Sequence, residues 1–264
     1  MATLLKALWH HRALVLGLVR REFQIRSARA AWGTFWLFFQ PATQIFIYAV
    51  IFGRVLQAKL PGTQDELSYG IYLCAGLLPW TVFSEQVGRG QNLFLENAHL
   101  LKTTRFPRSA LAVSLGITSA LNLALLAVPF AMVLVALDRL PGMLALAALP
   151  LLLLQSLLGV SLGVLIGTLN VFFRDIGQVV PVLLQFWFWF TPIVYPISIV
   201  PEPFRTAISW NPMTGLIGGY QQLFVGHETP TWGEFAPFTI IAFLTALLGW
   251  LAFRSLSGDL VDEL

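Results

Sequence analysis

The chain has 264 residues, of which 57% are hydrophobic and only 11% are charged. A soluble domain of this size carries about 25% charged residues, because polar side chains must cover its surface. This composition excludes an ordinary soluble enzyme and a disordered chain. It also excludes a nucleic-acid-binding module, since the net charge is only +3. The single cysteine, Cys74, allows neither an intrachain disulfide nor a cysteine-based metal site. The sequence predicts an all-α integral membrane protein.

The N-terminal segment, residues 1–30, is basic and has an apolar stripe. On a helical wheel one face carries Leu5, Leu8, Trp9, Val15, Leu16, Val19 and Phe23, and the other carries Lys6, His10, Arg21 and Gln24. This pattern predicts an amphipathic helix in the cytoplasmic membrane interface. A loose basic tail is the alternative.

Uncharged runs in residues 31–264 predict six transmembrane helices, because about 20 apolar residues cross a hydrocarbon core of roughly 30 Å. The predicted spans are 33–53, 70–90, 110–136, 145–172, 177–196 and 235–254. Another uncharged stretch, Thr206 to His227, contains helix-breaking Pro212, Gly215 and Gly218-Gly219. We expect two short re-entrant helices there, because irregular backbone at membrane depth needs protein or water around it.

The basic residues predict the orientation of these spans. Most of the 16 basic residues fall on the side of the N-terminal segment, and the exceptions are Arg54, Lys59, Arg139 and Arg205. The positive-inside rule therefore places both termini in the cytoplasm.

The sequence offers few residues for bond chemistry. The histidines have no metal-ligand spacing, and no lysine belongs to a Walker A loop. We therefore predict no catalytic residue, metal or cofactor in this chain, so that any ATPase is another polypeptide. Glu85 is the one acidic residue inside a predicted span, which makes it a functional candidate. Alternatively it pairs with Arg89 at i,i+4. A membrane enzyme acting on lipid-linked sugars and a passive channel or secondary transporter are rival hypotheses.

Aromatic residues are concentrated in the predicted first and fifth spans. Rings can stack on sugar CH faces, so we predict that some of them line a passage for a sugar chain. A headgroup belt is the alternative for those at span ends. The candidate lining residues are Trp36, Phe39, Phe186, Trp187, Trp189, Phe190 and Tyr195.

The predicted cytoplasmic loop from Arg89 to Pro107 has helical periodicity. It indicates a short helix that is either a contact site for a partner or a helix resting on the bilayer. The candidate contact residues are Leu93, Phe94, Glu96, Asn97, His99, Leu101 and Lys102.

Several motifs together resemble the membrane subunit of ABC-2 type polysaccharide exporters. They are Arg20-Arg21-Glu22-Phe23-Gln24-Ile25-Arg26, Gln40-Pro41, Gly76-Leu77-Leu78-Pro79-Trp80, Phe172-Phe173-Arg174-Asp175-Ile176, Thr191-Pro192-Ile193-Val194-Tyr195-Pro196 and Trp210-Asn211-Pro212-Met213. The cytoplasmic-loop pair Arg174-Asp175 with its downstream motifs is the most specific element. Within the family the likeness is greatest to O-antigen exporter permeases, with capsule and teichoic-acid exporter permeases next.

The resemblance implies a homodimer in the bacterial inner membrane, bound to two copies of a cytoplasmic ATPase that holds ATP and Mg²⁺. It implies that the first and fifth spans border a polymer channel. A coupling helix would lie near 92–104, and a periplasmic gate near 198–228. The transported substrate would be an undecaprenyl-diphosphate-linked glycan. Arg20, Arg21 and Arg26 are candidates to attract the diphosphate, with plain lipid-headgroup contact as the alternative.

Overall fold

The computed structural model describes residues 12–28, 67–103 and 109–256, and also positions 39, 42–43, 45–47, 60 and 263. All regular elements in this part of the chain are helical. The α-helices are α1 (Arg12–Ala28), α2 (Ser68–Glu96), α3 (Ala98–Thr103), α4 (Ser109–Ala136), α5 (Ala148–Phe172), α6 (Ile176–Trp189), α7 (Glu202–Ser209), α8 (Pro212–Gln221) and α9 (Ala236–Leu256). Short 3₁₀ segments at Gly142–Ala147, Ile197–Ile199 and Trp232–Phe235, and a π turn at Gln222–Gly226, connect them.

Three described segments are long and apolar enough to cross a membrane: Ala110–Ala136, Gly142–Phe172 and Ala236–Leu256. They coincide with the predicted third, fourth and sixth spans. The chain is therefore an all-helical, membrane-embedded protein. The predicted first span, 33–53, lies outside the described residues except for a few positions, so the count of six spans stays a prediction.

The predicted fifth span, 177–196, is too long. Helix α6 ends at Trp189, and at about 1.5 Å per residue it measures roughly 21 Å. The chain then turns through Pro192 and Pro196, which cannot donate the backbone hydrogen bonds of a helix. Tyr72 of α2 holds this turn, because its hydroxyl donates to the carbonyls of Pro192 at 3.2 Å and Tyr195 at 3.1 Å.

Helices α2 and α5 share the most extensive contact between elements. Gly159, Gly163 and Gly167 recur every fourth residue along α5, and this row of small residues lets the α2 backbone approach closely. A Cβ on Gly163 would lie only 2.8 Å from the carbonyl oxygen of Gln86. Helix α9 packs against α5 as well, and α4 and α8 flank α2.

Two short helices are present in this region as expected, although α7 begins at Glu202, before the stretch from Thr206 to His227 in which we expected both. The expectation that Gly215 and Gly218-Gly219 break the second helix is wrong, since α8 continues through them. Gly219 is needed for packing, because a Cβ there would lie 2.7 Å from the Phe235 ring. Leu216 and Ile217 of α8 are fully buried. The insertion of α7 and α8 into a membrane leaflet stays a prediction.

Helix α1 is attached to the bundle through part of its apolar face. Val15 and Val19 are buried, and the helix packs along α4. Leu16 does not share this face, because 61% of its surface is exposed. The least exposed stripe of α1 follows positions 15, 18, 19 and 22, of which Leu18 and the charged residue Glu22 are half-buried.

Gly90→Ala tests the contact between α2 and α5. A Cβ on Gly90 meets the Gly163 backbone, which cannot move aside like a side chain, so overpacking of about 1–3 kcal/mol is expected. Gly88→Ala on the same helix is the control, because a Cβ there meets nothing within 4 Å. Unfolding of the purified chain in mixed detergent micelles, followed by circular dichroism, measures both. Equal stability of the two variants would contradict the close contact.

Candidate functional site

A charged cluster joins three helices near the Glu96 end of α2. Glu85 and Arg89 form the expected i,i+4 ion pair, with 3.3 Å between Glu85 Oε1 and Arg89 Nη1. The other guanidinium nitrogen, Nη2, lies 3.1 Å from Oε1 of Glu22 on α1. Asn122 of α4 donates its Nδ2–H to Glu85 Oε1 at 2.6 Å. Arg89 therefore links α1 to α2, and Glu85 links α2 to α4.

Glu22 and Glu85 both contact the Arg89 guanidinium, whose planar fork can serve two carboxylates at once. The side chains are partly buried, so removing one partner leaves a poorly solvated charge behind. The pairing of Glu85 and Arg89 was predictable from their spacing. Glu22 and Asn122 were missed, because their contribution depends on how α1 and α4 pack on α2.

The predicted coupling segment is not one helix over 92–104. Helix α2 runs to Glu96, and the chain breaks at Asn97, whose Nδ2–H donates to the Leu93 carbonyl at 2.8 Å. Helix α3 then begins at Ala98. Residues 104–108 lie outside the described part of the chain.

The candidate contact residues of this segment divide by burial. Leu93, Phe94 and Leu101 are buried in a cluster with Leu111 and Leu115 of α4. They anchor the segment to the bundle, so they do not present a surface to another protein. The exposed members are Glu96, His99 and Lys102. Docking of an ATPase there stays a prediction and involves the exposed residues.

The aromatic residues of α6 point in different directions. Trp187 packs inward, with its ring centroid 5.2 Å from that of Phe83 in an edge-to-face arrangement. Phe188 packs on Trp80 at 5.7 Å. Trp187 is thus half-buried, with one part of its ring packed into the bundle, and its place in a lining surface stays a prediction.

Other candidate aromatic side chains lie on the surface of the single chain. Phe186 is 70% and Trp189 60% exposed, and Phe190 and Phe39 are exposed as well. Tyr195 is half-buried, and its hydroxyl donates to the Trp189 carbonyl at 2.9 Å. Trp36 lies outside the described residues. A groove of about 560 Å³ beside this face is lined by Trp80, Ser84, Gly88, Pro181, Leu184, Gln185, Phe188 and Trp189.

Asn211 connects the Thr-Pro-Ile and Asn-Pro motifs by hydrogen bonds. Its Oδ1 accepts from Trp187 Nε1–H at 2.8 Å and from the Met213 backbone N–H at 3.0 Å, which caps α8. Its Nδ2–H donates to Thr191 Oγ1 at 2.8 Å. One buried amide thus ties the end of α6 to the start of α8.

The basic candidates lie on the surface. Arg20 and Arg21 are exposed on α1. Arg26 belongs to the same helix, but its side chain lies outside the described part. Arg174 and Asp175 are exposed in the turn between α5 and α6. Within the described residues, no group of three His, Cys, Asp or Glu side chains converges in a way that could hold a metal ion.

Comparison with known proteins matches residues 13–225 to the family model described as ABC-2 type transporter. The O-antigen export system permease protein RfbA of Myxococcus xanthus is 29% identical over 96% of this chain and 94% of its own. The protein of the same name from Klebsiella pneumoniae is 28% identical over 80% of each chain. The polysialic acid transport protein KpsM of Escherichia coli is 23% identical over 78% of this chain and 79% of its own.

Arg89→Gln tests the charged cluster. The change removes a cation that contacts both Glu22 and Glu85, and we expect a loss of about 1–2 kcal/mol in stability, less than for a fully buried pair. Adding Glu85→Gln should recover part of this loss, because one of the two carboxylates that faced Arg89 is then neutral. Unfolding in mixed detergent micelles measures the stability of both variants. Arg20→Gln, which changes an exposed arginine on α1, is the control. Failure of the double variant to recover stability would contradict a shared-cation cluster.

Asn211→Ala tests the junction between α6 and α8. The variant loses the α8 cap and an acceptor for the Trp187 N–H, so a destabilisation of about 2–3 kcal/mol is expected. In a Trp187→Phe background the same change should cost less, because no indole N–H remains to be satisfied. Tryptophan fluorescence during unfolding measures the stability of the unchanged chain, the two single variants and the double variant. Equal costs in both backgrounds would show that the two side chains act independently.

Proposed function

The chain belongs to the ABC-2 type transporter family, and from that premise we propose that it is the membrane permease of an ATP-driven polysaccharide exporter. The substrate is undecaprenyl-diphosphate-linked O-antigen polysaccharide, moved from the cytoplasm to the periplasm across the bacterial inner membrane during lipopolysaccharide biosynthesis. The observation that carries the proposal is the near end-to-end similarity to RfbA, a protein named as an O-antigen export permease.

The working unit in this proposal is a homodimer of the chain with two copies of a cytoplasmic ATPase. The ATPase binds ATP and Mg²⁺, and this chain supplies the path for the polymer. The exposed aromatic face of α6, with Phe186 and Trp189, suits such a path, because ring faces stack on sugars without fixed hydrogen-bond registry. In the dimer this face borders the channel.

Force from the ATPase enters through the exposed residues near Asn97. Movement of α3 is passed to α2, since Leu93, Phe94 and Leu101 bind the segment to the bundle. The Arg89 bridge to Glu22 then carries α1 along with α2. In this mechanism Arg20, Arg21 and Arg26 on α1 attract the diphosphate of the substrate, because clustered guanidinium groups bind phosphate well.

A capsular polysaccharide is the second candidate substrate, supported by the weaker similarity to KpsM. Teichoic acid is a third. Expression of the chain with its ATPase in hosts lacking either an O-antigen or a capsule permease distinguishes these substrates. We expect surface O-antigen to be restored. If only the capsule is restored, capsular polysaccharide is the substrate and O-antigen is not.

Phe186→Ala combined with Trp189→Ala should reduce surface polysaccharide several-fold at normal protein level, because two stacking surfaces of the path are lost. Phe243→Ala is the matched control, as this ring is also exposed but lies on α9, away from the predicted path. Immunoblots of surface glycan and of the permease give both quantities. The proposed path would be contradicted if Phe243→Ala reduced surface polysaccharide as much as the double variant does. It would also be contradicted if the double variant had no effect.

A further inference from the structure

A cavity of about 120 Å³ lies where α1, the last turns of α2 and the first turns of α4 meet. It has room for more than one water molecule, since a water occupies about 30 Å³ in the liquid. Leu18, Leu93 and Leu115 form an apolar wall, while Arg21 and Glu96 contribute charge. The cavity lies beside the first turns of α4, a membrane-length helix, and the ends of such helices are at the level of lipid head groups.

Two of the charges in this cavity have no ion-pair partner in the described part of the chain. Arg89 also lines the cavity, but its guanidinium is engaged by Glu22 and Glu85. Arg21 and Glu96 form no ion pair with each other or with any other described residue. Among the described residues, a cation on α1 and an anion on α2 thus line the same space without an ion-pair partner.

The surroundings of Glu96 favour a cation beside it. Partial burial raises the pKa of the Glu96 carboxyl, and the negative charge of Glu22 raises that pKa further. The positive charge of Arg89 lowers it and only partly compensates. A bound cationic group would therefore relieve the repulsion between the two carboxylates.

We propose that this cavity binds the head group of a phospholipid with a primary ammonium, the phosphoethanolamine type. Its phosphate pairs with Arg21 and its ammonium with Glu96, while the leucine wall contacts the start of the acyl chains. The site joins α1 to the end of α2, so the bound lipid stiffens the junction next to α3. This inference goes beyond the proposed function, because it concerns a lipid resident in the cavity. With Arg21 occupied by that lipid, Arg20, which does not line the cavity, and Arg26 remain to attract the diphosphate of the substrate.

Charge and hydrogen bonding select this ligand class over others. Inside the cavity an anionic lipid brings negative charge toward Glu22 and Glu96 and has no cation to offset it. A quaternary choline head group has the right charges but no N–H to donate to a carboxylate. The primary ammonium supplies both the positive charge and three donors.

Lipid binding to the purified full-length chain tests the proposal by native mass spectrometry, with phosphatidylethanolamine, phosphatidylcholine and phosphatidylglycerol of identical acyl chains. We expect the ethanolamine lipid to bind about tenfold more tightly than the choline lipid, the effect of a charge-assisted hydrogen bond. Glu96→Gln should remove this preference. Glu202→Gln, a neutralisation of an exposed carboxylate on α7, should keep it.

Arg21 is tested in the same assay. Arg21→Gln should weaken both zwitterionic lipids about equally, since they share the phosphate, and Arg21→Lys should retain most of the binding. Competition with soluble O-phosphoethanolamine separates head-group recognition from acyl-chain contacts. Equal binding of the ethanolamine and choline lipids, an unchanged preference in Glu96→Gln, or stronger binding of the glycerol lipid would each overturn the proposal.

Discussion

At Gly90 and Gly163 the backbones of α2 and α5 touch directly, and this contact fixes the position of α2 in the bundle. Three other parts of the structure depend on residues of α2 or at its end. Trp80 of α2 packs against the rings of α6, Arg89 forms the charged bridge to α1, and Asn97 ends the helix where the coupling segment begins. A bulkier residue at the glycine contact would shift all three attachments together.

Polar side chains inside this apolar bundle serve as joints between elements. The Asn211 amide holds the end of α6 to the start of α8, and Arg89 holds α1 to α2. A buried polar group is costly when its partners separate, so each joint resists relative motion of the elements it connects. Such joints suit a chain that passes on the movement of a separate ATPase. The relatives of the chain are named as permease and transport proteins.

The sequence predicted the long apolar helices well, because length and lack of charge alone identify them. It also predicted the pairing of Glu85 with Arg89, since both lie on one helix. The early end of α6 at Trp189 was missed, because uncharged composition continues past the point where prolines stop the helix. The burial of Phe94 was missed for another reason. An apolar helical face can meet a bilayer, a partner or its own bundle, and only the tertiary fold decides which. The same holds for Glu22, whose partner comes from a distant helix.

The central claim is that this chain provides the path for a lipid-linked glycan while a separate ATPase supplies the energy. Sealed vesicles containing the purified chain test it most directly, with lipid-linked glycan added at the face that binds the ATPase and transfer measured as protection from an external glycosidase. The account predicts protection only when active ATPase and ATP are both present, and none with the chain alone or with a hydrolysis-deficient ATPase. Equal protection produced by the chain alone would contradict it.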